Sequence, residues 1–200
     1  TGNASTTDAV TNFSNTLAFD GVGDYFVIAD HADWTFTGDF TIDFWMKDDG
    51  TASNARVFSP ASATDIKFIR SSSSDDLSFY TAGIGGSVYS KTSLSPMDGN
   101  WHHIALVRDS GILNIYVDGV GGDDYASGAT IDFAGINIGA RNDGSTPYKG
   151  YLDEFRISKD VARWTADFSD DLPTNPYGII TTHDITLISD TTVAESQPDQ

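Results

Sequence analysis

The chain has no cysteine in 200 residues, so disulfides and thiolate metal sites are excluded. Basic residues are scarce: 11 Lys and Arg stand against 29 Asp and Glu, a formal net charge of −18. Such a surface repels phosphate backbones and anionic bilayers, which argues against a nucleic-acid partner. No apolar run approaches the ~20 residues that cross a bilayer as a helix, so no membrane insertion is expected. Glutamate is nearly missing as well, with Glu154 and Glu195 the only two. The negative charge is therefore almost all aspartate, a short side chain suited to turns, caps and oxygen-ligated cations. The chain opens on Thr1 rather than Met and shows no signal peptide, and it reads as a fragment or a processed product.

Aromatic residues are plentiful, with 12 Phe, 8 Tyr and 4 Trp to fill a core. The length suits one domain, which buries roughly 70% of its unfolded surface and needs no covalent staple. Residues 1–14 are small and polar and read as a leader or linker. From 15 to 177 short apolar runs alternate with Gly, Asp, Asn and Ser turns. In "GDFTIDFWMK", Phe40, Ile42, Phe44 and Met46 share one side, and Thr41, Asp43, Trp45 and Lys47 the other. "WHHIALVR" and "LNIYVDG" flank "DSGI", a hairpin signal. About a dozen such runs, roughly 8–14 residues apart, predict an all-β antiparallel sandwich rather than βαβ units. One short helix is expected near 159–165, in "SKDVARWTADF", with Ser158 or Asp160 as its N-cap. Residues 178–200 read as an extended arm. Within that arm, 184–190 alternate like an added strand, which either pairs with a neighbouring subunit or folds back on its own domain.

Four pieces in order, "LAFDGVGDYFVIAD", "FTGDFTIDFWMK", "GNWHHIALVRDSGILNIYVDG" and "INIGARND…GYLDEFRIS", resemble the laminin-G-like domains of the concanavalin A-like lectin/glucanase superfamily. The piece "ISKDVARWTADFSDDLP" is similar to versions found in phage structural and tail proteins, especially marine ones. The resemblance implies a two-sheet jelly roll. It also implies a structural calcium ion where the first strand meets the last, with Asp20 and Asp153 as ligands and Asp24 or a carbonyl near Gly23 joining them. Strict alternation in "GYLDEFRIS" puts Asp153 on the packed face with Tyr151, Phe155 and Ile157, where a carboxylate needs a partner. That partner is either the metal or the backbone N–H groups of the "GVGD" turn.

Signs of catalysis are few. The glucanases of this superfamily share a Glu-x-Asp-x-(x)-Glu strand, and no segment here matches it. Asp43 has no acid two or four residues on. His102 and His103 fall on opposite faces of one strand and cannot chelate a metal together; one is expected packed and one exposed. There is no G-x-S-x-G, P-loop or H-E-x-x-H. For binding, the loop "ARNDGSTPY" offers Arg141, Asn142, Asp143 and Tyr148, the planar polar groups and aromatic ring that sugars use. Trp45 is a further candidate, either on an open concave face or packed. The expected protein is a non-enzymatic recognition or adhesion module, with a glycan and other surface-assembly subunits as partners, on a virion or extracellular surface. The alternatives are a structural or decorating protein that binds no glycan and, third, a glycan-active hydrolase with an Asp-based site.

Overall fold

The structure, a computed structural model, describes residues 5–7, 13, 16–50, 54–61, 66–70, 76–81, 84–90, 94–177 and 184–186. Along the chain come β1 (Ser5–Thr7), β2 (Thr16–Asp20), β3 (Phe26–Ile28), a single 3-10 turn (Ala32–Trp34), β4 (Thr35–Phe36) and β5 (Phe40–Asp48). There follow β6 (Arg56–Pro60), β7 (Ile66–Arg70), β8 (Leu77–Thr81), β9 (Gly86–Tyr89), β10 (Trp101–Asp109) and β11 (Ile112–Val117). The last are β12 (Val120–Gly121), β13 (Tyr125–Ala126), β14 (Ile131–Asp132), β15 (Ile136–Ile138), β16 (Lys149–Lys159) and β17 (Asp184–Thr186). Two main antiparallel sheets result, in strand order β1-β2-β16-β5-β10-β11-β12, with β13 on β11 and β17 on β16, and β3-β15-β6-β7-β8-β9; β4 and β14 form a separate two-stranded pair. This is the expected sandwich.

The core lies between the sheets. From the first sheet come Phe40, Ile42, Phe44 and Met46 of β5, Ile104 and Leu106 of β10, and Leu113, Ile115 and Val117 of β11. Phe44 stacks on Phe155 at 5.3 Å and meets Phe58 and Phe68 of the second sheet edge-on at 6.3 and 5.8 Å. Such interdigitation sets the roughly 10 Å thickness of a sandwich core. The hairpin signal is a two-residue turn, Ser110-Gly111, with φ of 49° and 81°, joining Asp109 to its partner Ile112. Two positive φ values match the right-handed twist of the flanking strands.

β16 departs from strict alternation, and this answers how Asp153 is accommodated. Asp153 pairs with Trp45 and Arg156 with Asp43, so two residues of β16, Glu154 and Phe155, stand against Phe44 alone. Glu154 takes φ of 52° to form this bulge. The parity of the strand therefore flips. Leu152, Phe155 and Ile157 point into the core, whereas Asp153 and Arg156 point outward beside Trp45 and Asp43. Asp153 is not on the core face.

One further expectation is corrected, and the two ends of the chain add a strand each to the first sheet. No helix forms at 159–165: Lys159 is still in β16, and Asp160, at φ 60°, turns the chain back over the outer face of the first sheet. The backbone there is held by the sheet. Thr41 Oγ1 donates to Val161 O and accepts from Arg163 N–H, and Arg163 Nε donates to Ser158 Oγ. The leader contains β1, paired with β2. Of the arm, the strand β17 pairs with Arg156–Ser158 of β16, and 178–183 and 187–200 lie outside the described residues.

At one end of the sandwich His102 links two turns. Its Nδ1 is 2.7 Å from Asp118 Oδ2 and its Nε2 2.9 Å from Asp98 Oδ1. His102 is buried, as is His103 on the opposite face, so neither histidine is the exposed one expected. The hydrogen bond to Asp118 leads the causes that raise the His102 pKa, outweighing its desolvation. A raised value in the folded state stabilises the fold below the ordinary histidine pKa of 6.5, and that contribution is lost as pH rises through the higher folded value. Replacing His102 by Gln should therefore lower the melting temperature more at about pH 5.5 than at about pH 8.5. An equal loss at both values would show that the charged form does not make the link.

Candidate functional site

The outer face of the first sheet holds a buried polar cluster. Asp43 and His103 are both 0% exposed. Arg156 reaches Asp43 with Nε–Oδ1 at 3.1 Å and Nη2–Oδ2 at 2.8 Å, a bidentate pair. The Tyr177 hydroxyl donates to Asp43 Oδ2 at 2.6 Å, and the Arg156 guanidinium lies 3.6 Å from the Tyr177 ring centre. His103 Nε2 stands 3.1 Å from the Tyr177 hydroxyl and 3.6 Å from Asp43 Oδ2. The Tyr177 N–H donates to the Glu154 carboxylate. Burial raises the Asp43 pKa, but His103 and Arg156 outweigh it and hold the carboxyl below the ordinary range. Burial, reinforced by Asp43, pushes the Tyr177 phenol far up.

Segment 160–177 closes this face as a strap. Trp164 stacks on Phe168 at 4.3 Å, and both meet the His103 ring edge-on. Phe168 also packs with Ala105, Val107 and Tyr116 in a second small apolar cluster. Trp45 is on this face, half-buried, with the His103 ring 5.4 Å away and Phe13 edge-on at 5.7 Å. It packs, and its Nε1 is buried with no hydrogen-bond partner among the described residues.

The three proposed calcium ligands do not converge. Lys149 pairs with Asp20 and Leu152 with Leu17, so Asp153 lies several residues along β16 from Asp20. Asp153 Oδ2 accepts from Phe13 N–H and Thr16 Oγ1, and Oδ1 accepts from Glu154 N–H. These donors are not in the "GVGD" turn. The set Asp20, Asp24 and Asp153 therefore does not fit one calcium ion. Among the described residues no group of three or more His, Asp or Glu is placed to hold a metal. Asp20 and Asp24 do meet: Asp24 Oδ2 accepts from Asp20 N–H, and Asp20 Oδ1 from Val22 N–H.

Those two acids line a cavity of about 260 Å³ at the loop end, with Ala18, Asp49, Lys149 and Tyr151. Lys149 pairs with Asp49 at 2.9 Å. Tyr151, Lys149 and Asp49 are not among the candidates named from sequence. Strict alternation assigned Tyr151 to the core; the bulge sets it outside. Arg141, Asn142 and Asp143 occupy a turn at the same end, closed by Arg141 N–H to Ser145 O and Ser145 N–H to Asp143 Oδ1. Tyr148 does not belong with them. It is 0% exposed, donates its hydroxyl to Lys47 O and packs on Phe19 in the core. Its backbone N–H bonds Gly139 O, which turns the ring inward.

A laminin-G-like profile, described as the concanavalin A-like lectin/glucanases superfamily, matches residues 20–165. The chain belongs to that superfamily. Similar solved structures include domain 4 of AbnA, a GH43 extracellular arabinanase from Geobacillus stearothermophilus, in complex with arabinotriose: 18% identity, TM-score 0.58, covering 80% of this chain and 76% of that one. A putative carbohydrate-binding protein from Bacteroides ovatus aligns at 20% identity and TM-score 0.61, over 84% of this chain but only 50% of that one. A heptameric SAP-like pentraxin from Limulus polyphemus aligns at 16% identity and TM-score 0.59, over 89% and 94% of the two chains. At these identities the likeness is one of fold. No curated protein matches the sequence.

The superfamily member's strap depends on Arg156. Arg156→Ala leaves Asp43 charged and buried without its partner, a loss that should cost about 3–5 kcal/mol in chemical unfolding. Tyr177→Phe, which removes one hydrogen bond to a charged group, should cost about 1.5–3 kcal/mol. A loss under about 1 kcal/mol for Arg156→Ala would mean the pair does not hold this face.

Proposed function

We propose that the chain is a non-catalytic recognition module that binds glycans at the loop end of the sandwich. The observation that carries this reading is the cavity where Tyr151 meets Asp20, Asp24, Asp49 and Lys149. An aromatic ring offers a stacking surface for sugar C–H groups, while carboxylates and an ammonium serve the hydroxyls. Arg141, Asn142 and Asp143 rim the same end and extend the polar surface.

The outer-face carboxylates support a binding role over hydrolysis. Glycoside hydrolysis uses two available carboxyl groups, ~5–5.5 Å apart for retention or ~6.5–9.5 Å for inversion. Here Asp43 is held by Arg156 and Tyr177, Asp153 by Phe13 N–H and Thr16, and Glu154 by Tyr177 N–H. The likeness of "ISKDVARWTADFSDDLP" to phage structural and tail proteins favours a virion or extracellular surface as the setting.

A glycan array followed by calorimetry tests this, with calcium and with chelator. At least one oligosaccharide should bind and none should be cleaved. Tyr151→Ala and Lys149→Ala should each weaken binding by about tenfold, or 1.4 kcal/mol. A silent array in both conditions, or unchanged affinity in both variants, would overturn the proposal.

A further inference from the structure

The outer face of the first sheet is built in cross-strand rows, and one of them is left open. β5 pairs with β10 so that Lys47 stands opposite Trp101 and Trp45 opposite His103. On its other side β5 pairs with β16, which sets Lys47 opposite Tyr151 and Trp45 opposite Asp153. Tyr151 in turn faces Ala18 of β2. Ala18, Tyr151, Lys47 and Trp101 therefore form one row across four strands. In the next row Trp45 is covered by Phe13 and His103 by Trp164 of the strap. Tyr151, Lys47 and Trp101 are half-buried, and no described ring packs on either aromatic.

The polar groups on either side of this row are engaged. Toward the loop end Lys149 pairs with Asp49 at 2.9 Å, and Asp20 and Asp24 each accept a backbone N–H. Toward the strap Asp153 accepts from Phe13 N–H and Thr16 Oγ1. Within the row, the Tyr151 hydroxyl, the Lys47 ammonium and the Trp101 Nε1 make no hydrogen bond or ion pair among the described residues. Lys47 stands out for its charge. Acids outnumber bases 29 to 11 over the chain, yet no described acid pairs with this cation, and it stands between two aromatic side chains.

That pattern selects a ligand. Opposed residues in adjacent antiparallel strands sit about 5 Å apart, so Tyr151 and Trp101 are set roughly 10 Å apart with Lys47 midway. Each ring offers a flat face to sugar C–H groups and a polar edge to a hydroxyl. A neutral chain would stack on both rings but leave the lysine charge unmet. A carboxylate in the middle meets it with a charge-assisted hydrogen bond. The net charge of −18 opposes an anion at long range, but at physiological salt charges beyond about 8 Å are largely screened. We propose that the loop-end site continues along this row and takes a linear acidic glycan, a uronate-containing chain of at least a trisaccharide, with its carboxylate on Lys47 and the flanking sugars on Tyr151 and Trp101. The proposal rests on the glycan reading of the loop-end cavity, which shares Tyr151, and adds the direction of the chain and its charge.

Calorimetry on the full chain with trisaccharides of galacturonate, glucuronate, mannuronate and guluronate, each beside its methyl ester, tests this. At least one uronate should bind about tenfold tighter than its ester. Lys47→Gln, with an unchanged melting temperature, should remove that preference and leave the ester's affinity unchanged, and Lys47→Arg should keep the preference. Trp101→Ala should weaken acid and ester alike, by about tenfold. Equal affinity for acid and ester in every pair would overturn the proposal, as would no binding of any uronate or a preference that survives Lys47→Gln. Neutral glycans that bind through Tyr151 and Lys149, indifferent to Lys47→Gln and Trp101→Ala, would overturn it while leaving the loop-end reading intact.

Discussion

The bidentate pair between Arg156 and Asp43 is the interaction on which the outer face of the first sheet depends. An aspartate at 0% exposure on a strand interior is tolerable only if its charge is met, and here two guanidinium nitrogens and a phenol meet it. Because the phenol belongs to Tyr177, the pair also anchors the far end of the strap. The strap in turn brings Trp164 and Phe168 over His103, Ala105 and Val107. A face that would otherwise be half-solvated becomes a second packed layer. The loop-end cavity lies outside this packed layer.

The bulge makes this arrangement possible. Were Glu154 paired regularly instead of bulged, Arg156 would fall opposite Ile42 and point into the core, and Asp153 and Tyr151 would share the side of Phe155 and Ile157. With the bulge, one strand sends Leu152, Phe155 and Ile157 inward and Tyr151, Asp153 and Arg156 outward. The same shift that buries the ion pair sets Tyr151 at the mouth of the loop-end cavity.

Much of the fold was legible in the sequence because β5, β10 and β11 alternate cleanly and their turns carry Ser-Gly and Asp-Gly. What was illegible has definite causes. A period-2 reading has no means to register a bulge, so it misplaced Asp153 and Tyr151. The 159–165 segment has helical composition, but Thr41 and Ser158 offer its backbone and Arg163 partners on the sheet that a local pattern does not show. Tyr148 follows a polar turn closely, yet the bond from its N–H to Gly139 O carries it into the core. Two histidines side by side suggested one buried and one exposed; the strap that buries His103 comes from residues some sixty positions later.

The account rests most directly on the strap being docked in the free protein, and native-state hydrogen exchange measures that. The amides of Arg163, Phe168 and Tyr177 donate to Thr41 Oγ1, Gly119 O and the Glu154 carboxylate. They should exchange at least about a hundredfold more slowly than in an unstructured peptide. Exchange at peptide rates in all three, with β5 and β10 still protected, would contradict it.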